Sequence, residues 1–139
     1  MTPHVLVPMN DSEIAEQALE FALEAYPAAG ITVLNVIGVP TWHMGNAAGL
    51  ALSDDPSRMA ETQTEVVFER ARELAASYDI EITTIVETGN PSRAIVRRAE
   101  EFDVVVIGGH ERGLSSRLLV GNVATAVTRR SSVPVTVVG

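Results

Sequence analysis

Five short aliphatic runs alternate with segments of helical periodicity, and this alternation constrains the fold more than any other feature. The runs cover residues 4–7, 31–37, 81–86, 103–107 and 134–138. Strands that alternate with helices form parallel sheets, and near-continuous aliphatic strands indicate that helices cover both faces. The pattern therefore predicts an α/β fold, a single open five-stranded parallel sheet with strand order 3-2-1-4-5.

Helix signals stand between the aliphatic runs. Asp11 and Ser12 offer an N-cap to a first helix, and Asn90 followed by Pro91 is a typical start of the third. A second helix begins near residue 57 and a fourth spans about 122–130. The first helix is expected to bury Ile14, Ala18, Phe21 or Ala22, and Ala25. Arg97 and Arg98 are expected on a solvated helix face.

Composition limits the class of protein. The 139 residues show no composition break, so one domain over 1–139 is expected. No apolar run approaches the roughly 20 residues that span a bilayer, and the N-terminus lacks the features of a signal peptide. The sequence thus predicts a cytoplasmic protein with no membrane partner. The absence of cysteine excludes disulfides and thiolate metal sites.

The charge is strongly acidic. The net charge is −8, and all ten basic residues are arginine, so repulsion from nucleic acid is expected. Glutamates recur every fourth residue at 16–24 and again at 61–73, which on helices gives unfavourable like-charge pairs that high salt would screen. We hypothesise a halophilic source. The alternative is an acidic protein from a GC-rich genome, in which arginine replaces lysine.

A glycine-rich stretch, residues 107–124, follows the most apolar strand and re-enters a helical pattern. Backbone amides in such a loop can face an anion. With strand order 3-2-1-4-5, a ligand is expected beyond the strand ends, between the first and fourth strands, where this stretch meets residues 8–11. A Walker A loop and a response-regulator pocket both need a lysine that this chain lacks, and the dinucleotide motif Gly-x-Gly-x-x-Gly is absent.

Three motifs together resemble the universal stress protein family over nearly the full length. Residues 7–13, Val-Pro-Met-Asn-Asp-Ser-Glu, resemble the family's Val-Pro-x-Asp-x-Ser-Glu. Residues 89–91 resemble its Gly-x-Pro. Residues 107–124 resemble its nucleotide signature, in which Gly, two residues, Gly, nine residues and Gly precede Ser or Thr. The resemblance implies a Rossmann-like fold of the adenine nucleotide hydrolase type and a regulatory, non-metabolic stress response.

The resemblance also implies a ligand and its site. ATP or AMP is expected as the ligand, with Mg²⁺ as an optional companion, and no catalytic or metal-ligating side chain is assigned. Phosphates would lie on the backbone at Gly108 and Gly121, and adenine and ribose on the residues at the strand ends. The expected site residues are Pro8, Met9, Asn10, Val36, Ile107, Gly108, His110, Glu111, Gly121, Asn122 and Val123.

Three of these positions depart from the family pattern. Asn10 replaces an aspartate, and Asn122 replaces Ser or Thr but remains a good N-cap. Glu111 replaces the second glycine, and a carboxylate near a phosphate would weaken binding by roughly 1–3 kcal/mol. Two alternatives therefore stay open: a dimeric interaction protein that has lost nucleotide binding, and a slow ATP hydrolase, for which no base or nucleophile is well placed.

Two further expectations concern partners. The last strand would lie at an apolar sheet edge, and such edges usually need covering. The resemblance implies that two copies pair there, so a homodimer is expected. Residues 38–56 lack periodicity and are expected to form a long connection that is partly disordered or contacts a partner, in preference to a catalytic lid. Trp42 within it is equally expected to cover the core.

Overall fold

The computed structural model describes residues 2–38, 56–109 and 123–139, and strands and helices alternate throughout these segments. The expected loop at 38–56 lies almost entirely outside the described residues. In chain order the elements are β1 (His4–Pro8), α1 (Glu13–Ala25), β2 (Gly30–Ile37), α2 (Pro56–Ala76), β3 (Thr83–Thr88), α3 (Pro91–Ala99), β4 (Val104–Gly108), α4 (123–130) and β5 (Val135–Val138).

The five strands form one parallel sheet in the order β3-β2-β1-β4-β5, which confirms the predicted topology. β1 pairs with β2 along its whole length, from His4 to Pro8. Its pairing with β4 joins only Val5 to Val104 and Leu6 to Val105. Beyond that point the carboxyl ends of β1 and β4 are not paired, and a crevice can open where the strand order reverses.

The central strands send alternate side chains into two hydrophobic layers, as the period of two in a strand requires. Val5 and Val7 face a layer that contains buried residues of α1 and α2. Leu6 and Val105 face the opposite layer, which contains buried residues of α3 and α4. Helices therefore cover both faces of the sheet, as predicted. No helix in the described segments is long and apolar enough to cross a membrane.

Two predicted helix starts are confirmed at atomic detail. The Ser12 hydroxyl accepts a hydrogen bond from the Ala15 amide at 3.2 Å and caps α1. The Asn90 side chain accepts one from the Arg93 amide at 3.1 Å, with Pro91 in the first turn of α3. The caps satisfy amides that have no partner within their own helix. Both starts lie at the carboxyl edge of the sheet.

The predicted buried face of α1 is partly wrong. Ile14 and Ala18 are buried as expected, and of the two alternatives Ala22 is buried whereas Phe21 is 38% exposed. Ala25 is exposed, against the prediction. Leu19 and Leu23 complete the buried face instead. The buried face of α1 therefore has one more residue per turn than predicted, because α1 packs against both β4 and α2.

The third strand begins two residues later than predicted and ends two residues later. After α2 the chain turns through Asp79, whose φ is 57°, and the Ile80 amide still bonds the Ala75 carbonyl at 3.0 Å. β3 then pairs with β2 as far as Ile37 with Thr88. Residues 81 and 82, which the aliphatic pattern assigned to the strand, still belong to the connection that follows this turn.

Arg97 and Arg98 do not form a purely solvated face. Both pair with Glu87 of β3, Arg97 at 2.9 Å and Arg98 at 2.7 Å. The hydrogen bond from Arg98 is the main cause that holds the pKa of the Glu87 carboxyl below its usual value. These ion pairs join α3 to the edge of the sheet.

Candidate functional site

A cavity of about 510 Å³ lies at the carboxyl edge of the sheet, in the crevice between β1 and β4. Its size falls in the range of small-molecule sites. It is lined by residues of β1, β2 and β4 and by the first turns of α1, α3 and α4. The lining residues are Pro8, Met9, Asn10, Ser12, Ala15, Leu34, Val36, Asn90, Pro91, Ser92, Ile95, Ile107, Gly108 and Val123.

Seven of the eleven residues singled out from the sequence line this cavity. They are Pro8, Met9, Asn10, Val36, Ile107, Gly108 and Val123. The other four, His110, Glu111, Gly121 and Asn122, lie outside the described residues. The structure thus brings the exits of the first, second and fourth strands together, as the predicted strand order requires.

A buried polar chain holds the exit of β1. The Met9 amide donates to the Leu34 carbonyl at 2.8 Å, and the Met9 carbonyl accepts from Nδ2 of Asn35 at 2.9 Å. Oδ1 of Asn35 accepts from the Thr64 hydroxyl of α2, also at 2.9 Å. Asn35 and Thr64 are 8% and 6% exposed, so these bonds are made in a low-dielectric interior. This chain of hydrogen bonds fixes the backbone that forms the floor of the cavity.

Sequence reasoning missed Asn35 and Thr64. Asn35 stands inside an aliphatic run and was assigned to the strand without a role. A polar amide in the middle of a buried strand is itself a signal, because buried polar groups need hydrogen-bond partners. Its partner on a distant helix could not be identified from spacing.

Asn10 and Ser12 form a polar corner at the start of α1. Oδ1 of Asn10 accepts hydrogen bonds from the Ser12 amide at 3.0 Å and from the Ser12 hydroxyl. The amide and hydroxyl donors fix the orientation of the Asn10 side chain. Its Nδ2 group makes no bond to another described residue. An asparagine at this position therefore keeps the acceptor that an aspartate would offer to Ser12 and adds a donor at the cavity.

A second corner of the same kind lies at the start of α3. Oδ1 of Asn90 accepts from the Arg93 amide at 3.1 Å and from the Ser92 hydroxyl at 2.8 Å. Both residues line the cavity, yet the sequence assigned Asn90 only a capping role. Topology could have placed Asn90 near the site, because the carboxyl ends of all parallel strands meet at one edge of the sheet.

Close packing explains two glycines at the end of β4. A side chain at Gly108 would place its Cβ 2.9 Å from the backbone oxygen of Ile14, and one at Gly109 would lie 2.7 Å from a methyl group of Val137. The Gly109 amide donates to the Val138 carbonyl at 2.8 Å. The glycines therefore let α1 and β5 approach β4, and the Gly109 amide is already used inside the sheet.

The walls of the cavity are mainly aliphatic. Leu34, Ile95 and Ile107 are 0%, 3% and 5% exposed, and half-buried Val36 lies beside Leu34 on the rim. Among the described lining residues, the polar side chains belong to the two Asn–Ser corners. An apolar cleft with a few placed polar groups suits a planar, partly polar small molecule. Within the described segments, no group of three or more histidine and carboxylate side chains is arranged to hold a metal ion.

The whole chain is similar to known proteins. A sequence model of the universal stress protein family matches residues 1–139. The universal stress protein Rv2005c of Mycobacterium tuberculosis is 26% identical over 133 residues, which are 96% of this chain and 44% of that protein. The chain therefore spans less than half the length of that relative. The matches give no support to a halophilic source.

Solved structures share the fold along almost the entire chain. A universal stress protein in complex with cAMP is 25% identical, with a TM-score of 0.71, over 99% of this chain and 97% of that one. A universal stress protein from Archaeoglobus fulgidus in complex with dAMP is 22% identical, with a TM-score of 0.67, over 100% and 98%. At 22% identity, the similarity to the dAMP complex shows only that the fold is shared.

Proposed function

Because the chain belongs to the universal stress protein family, we propose that it binds an adenine nucleotide, ATP or AMP, in the crevice between β1 and β4. We propose a regulatory role in the cytoplasm rather than a metabolic one. The cavity of about 510 Å³ at the point where the strand order reverses is the observation that carries the proposal. A relative with the same fold has been solved with cAMP bound, which supports the ligand class.

The proposal assigns each part of the ligand to a strand exit. Phosphates would lie beyond β4, against Gly108 and the start of α4 at Val123, with Asn122, Gly121, His110 and Glu111 nearby in sequence. Ribose would lie at the exit of β1, where Asn10 supplies an amide. The base would lie between the aliphatic walls near Val36. Mg²⁺ would accompany ATP through the phosphates.

Calorimetric titration with ATP and with AMP tests the proposal, in dilute buffer and in concentrated KCl. Val36→Trp places a large side chain on the cavity rim and should abolish binding. Val86→Trp is the matched control, since Val86 is 45% exposed on the far edge of the sheet, and it should bind like the parent. If the parent binds neither nucleotide in either buffer, the alternative of a nucleotide-free interaction protein replaces this proposal.

We also propose that two copies pair through β5, the strand at the other edge of the sheet. Val137 on this strand is 46% exposed, and an apolar strand edge offers unpaired backbone groups to a second strand. Light scattering of the parent should give the mass of a dimer. Val137→Lys should shift the mass to that of a monomer, and a parent that is monomeric at all concentrations would contradict the pairing.

A further inference from the structure

The strand order sets the direction in which a ligand lies in the cavity. β2, β1 and β4 are consecutive in the sheet, so their exits span two strand spacings, about 10 Å. If phosphates lie beyond β4, as the proposed function states, a nucleotide that crosses the exit of β1 brings its base to the exit of β2. That end of the cavity is closed by α3, through Asn90, Ser92 and Ile95.

The walls at this end suit a flat ring. Leu34 on β2 and Ile95 on α3 are both buried to at least 97%, and both border the cavity together with Val36. Aliphatic side chains on two elements can enclose the faces of a heteroaromatic base, and this burial is favourable for most of its surface. Only the polar edge of the base would then need hydrogen bonds.

Asn90 and Ser92 offer a donor and an acceptor at this edge. A backbone amide can only donate, so the bond from the Arg93 amide identifies the Asn90 atom that it reaches as oxygen. The Ser92 hydroxyl also gives its hydrogen to this oxygen. Nδ2 of Asn90 makes no bond to any other described residue and remains a donor. Oγ of Ser92, having donated its hydrogen, remains an acceptor.

We propose that Asn90 and Ser92 bind the polar edge of the base, and that Ser92 favours adenine over 6-oxopurines. Adenine presents a ring-nitrogen acceptor, N7, beside an amino donor, N6, whereas hypoxanthine and guanine present two acceptors on the same edge. N7 would accept from Nδ2 of Asn90, and N6 would donate to Oγ of Ser92. A 6-oxopurine would set its carbonyl oxygen against the Ser92 oxygen. The base is neutral, so the Ser92 side chain and not the helix dipole carries the selection.

Competition of AMP and IMP for the whole protein tests this inference, which rests on the proposed function. The parent should prefer AMP about tenfold or more. Asn90→Asp keeps the helix cap but replaces the donor to N7 by an acceptor, and Ser92→Ala removes the acceptor for N6. Each should weaken AMP binding about three- to tenfold. Because N7 is an acceptor in both bases, Asn90→Asp should weaken IMP binding as well and leave the preference in place, whereas Ser92→Ala should reduce the preference over IMP to within about threefold. Circular dichroism and the melting temperature check that each variant is folded.

Asn10→Asp is the matched control. It makes the same chemical change at the equivalent corner of α1, at the exit of β1 and so nearer the phosphate end, and should likewise change AMP and IMP binding by equal factors. A parent that binds AMP, with a Ser92→Ala variant that keeps the full preference, overturns the inference and leaves the proposed function standing. Equal binding of AMP and IMP by the parent also overturns it. A parent that binds neither overturns both proposals.

Discussion

Replacing Thr64 by valine removes one hydroxyl group from the interior with almost no change of shape. That hydroxyl donates at 2.9 Å to Oδ1 of Asn35, whose Nδ2 in turn holds the Met9 carbonyl. In the variant the Asn35 oxygen stays buried, since Asn35 is only 8% exposed, and loses its partner. The substitution therefore isolates a single polar contact between α2 and the cavity floor.

The magnitude follows from the burial of both groups. Leaving a buried acceptor unsatisfied lowers the free energy of unfolding by about 1–3 kcal/mol. A domain of this size has a total stability of about 5–15 kcal/mol, so the loss is measurable without unfolding the protein. The corresponding fall in melting temperature is roughly 3–12 °C.

Urea unfolding followed by circular dichroism measures the effect. Thr64→Ser keeps the hydroxyl and should recover most of the loss, apart from the missing methyl group. Thr83→Val is the matched control, because Thr83 is exposed on β3, and it should change stability by no more than about 0.5 kcal/mol. If Thr64→Val were as harmless as Thr83→Val, the buried chain would not stabilise the fold and the reasoning would be refuted.

Three further predictions concern packing, pH and salt. Gly108→Ala should destabilise the protein by about 1–3 kcal/mol in urea unfolding, because its Cβ meets the Ile14 backbone at 2.9 Å; an unchanged midpoint would refute the close approach. The hydrogen bond from Arg98 holds the pKa of the Glu87 carboxyl below its ordinary value of 4.5. Glu87→Gln should therefore have a lower free energy of unfolding than the parent above that pH, and the difference should shrink as the pH falls below it. A constant difference from pH 7 to 3 would contradict the ion pair. On α1 and α2, five pairs of glutamates stand four residues apart, and their repulsion disfavours folding by roughly 1–2.5 kcal/mol in total. Concentrated KCl should screen this repulsion and raise the melting temperature by roughly 3–10 °C. No rise would rule out the halophile hypothesis.

The architecture could be predicted because it depends on patterns that extend over many residues. Five aliphatic runs separated by helices leave few topologies for a parallel sheet, and capping signals at Ser12 and Asn90 mark where two helices begin. The strand order then places the exits of β1 and β4 together without any knowledge of side-chain contacts. For this reason seven predicted site residues line one cavity.

The missed details depend on contacts between residues far apart in sequence. The boundaries of β3 follow from the turn at Asp79 and from Glu87, which two arginines of α3 hold in the strand. Likewise, the partner of Asn35 is Thr64, 29 positions away on a helix. Local periodicity carries no information about such pairs. For the same reason the position of Ser92 at the cavity was not predicted, because its neighbours in sequence indicate only the first turn of a helix.

The most direct test of the central claim is a titration of the ¹⁵N-labelled protein with AMP, observed by two-dimensional NMR. The account predicts saturable shifts of the backbone amides at the strand exits and helix starts around the cavity, including Met9, Asn10, Ser92 and Val123. The amides at the β5 edge, such as Val137, should stay unchanged. Shifts absent from the cavity amides at millimolar AMP, or confined to β5, would contradict an adenine-nucleotide site between β1 and β4.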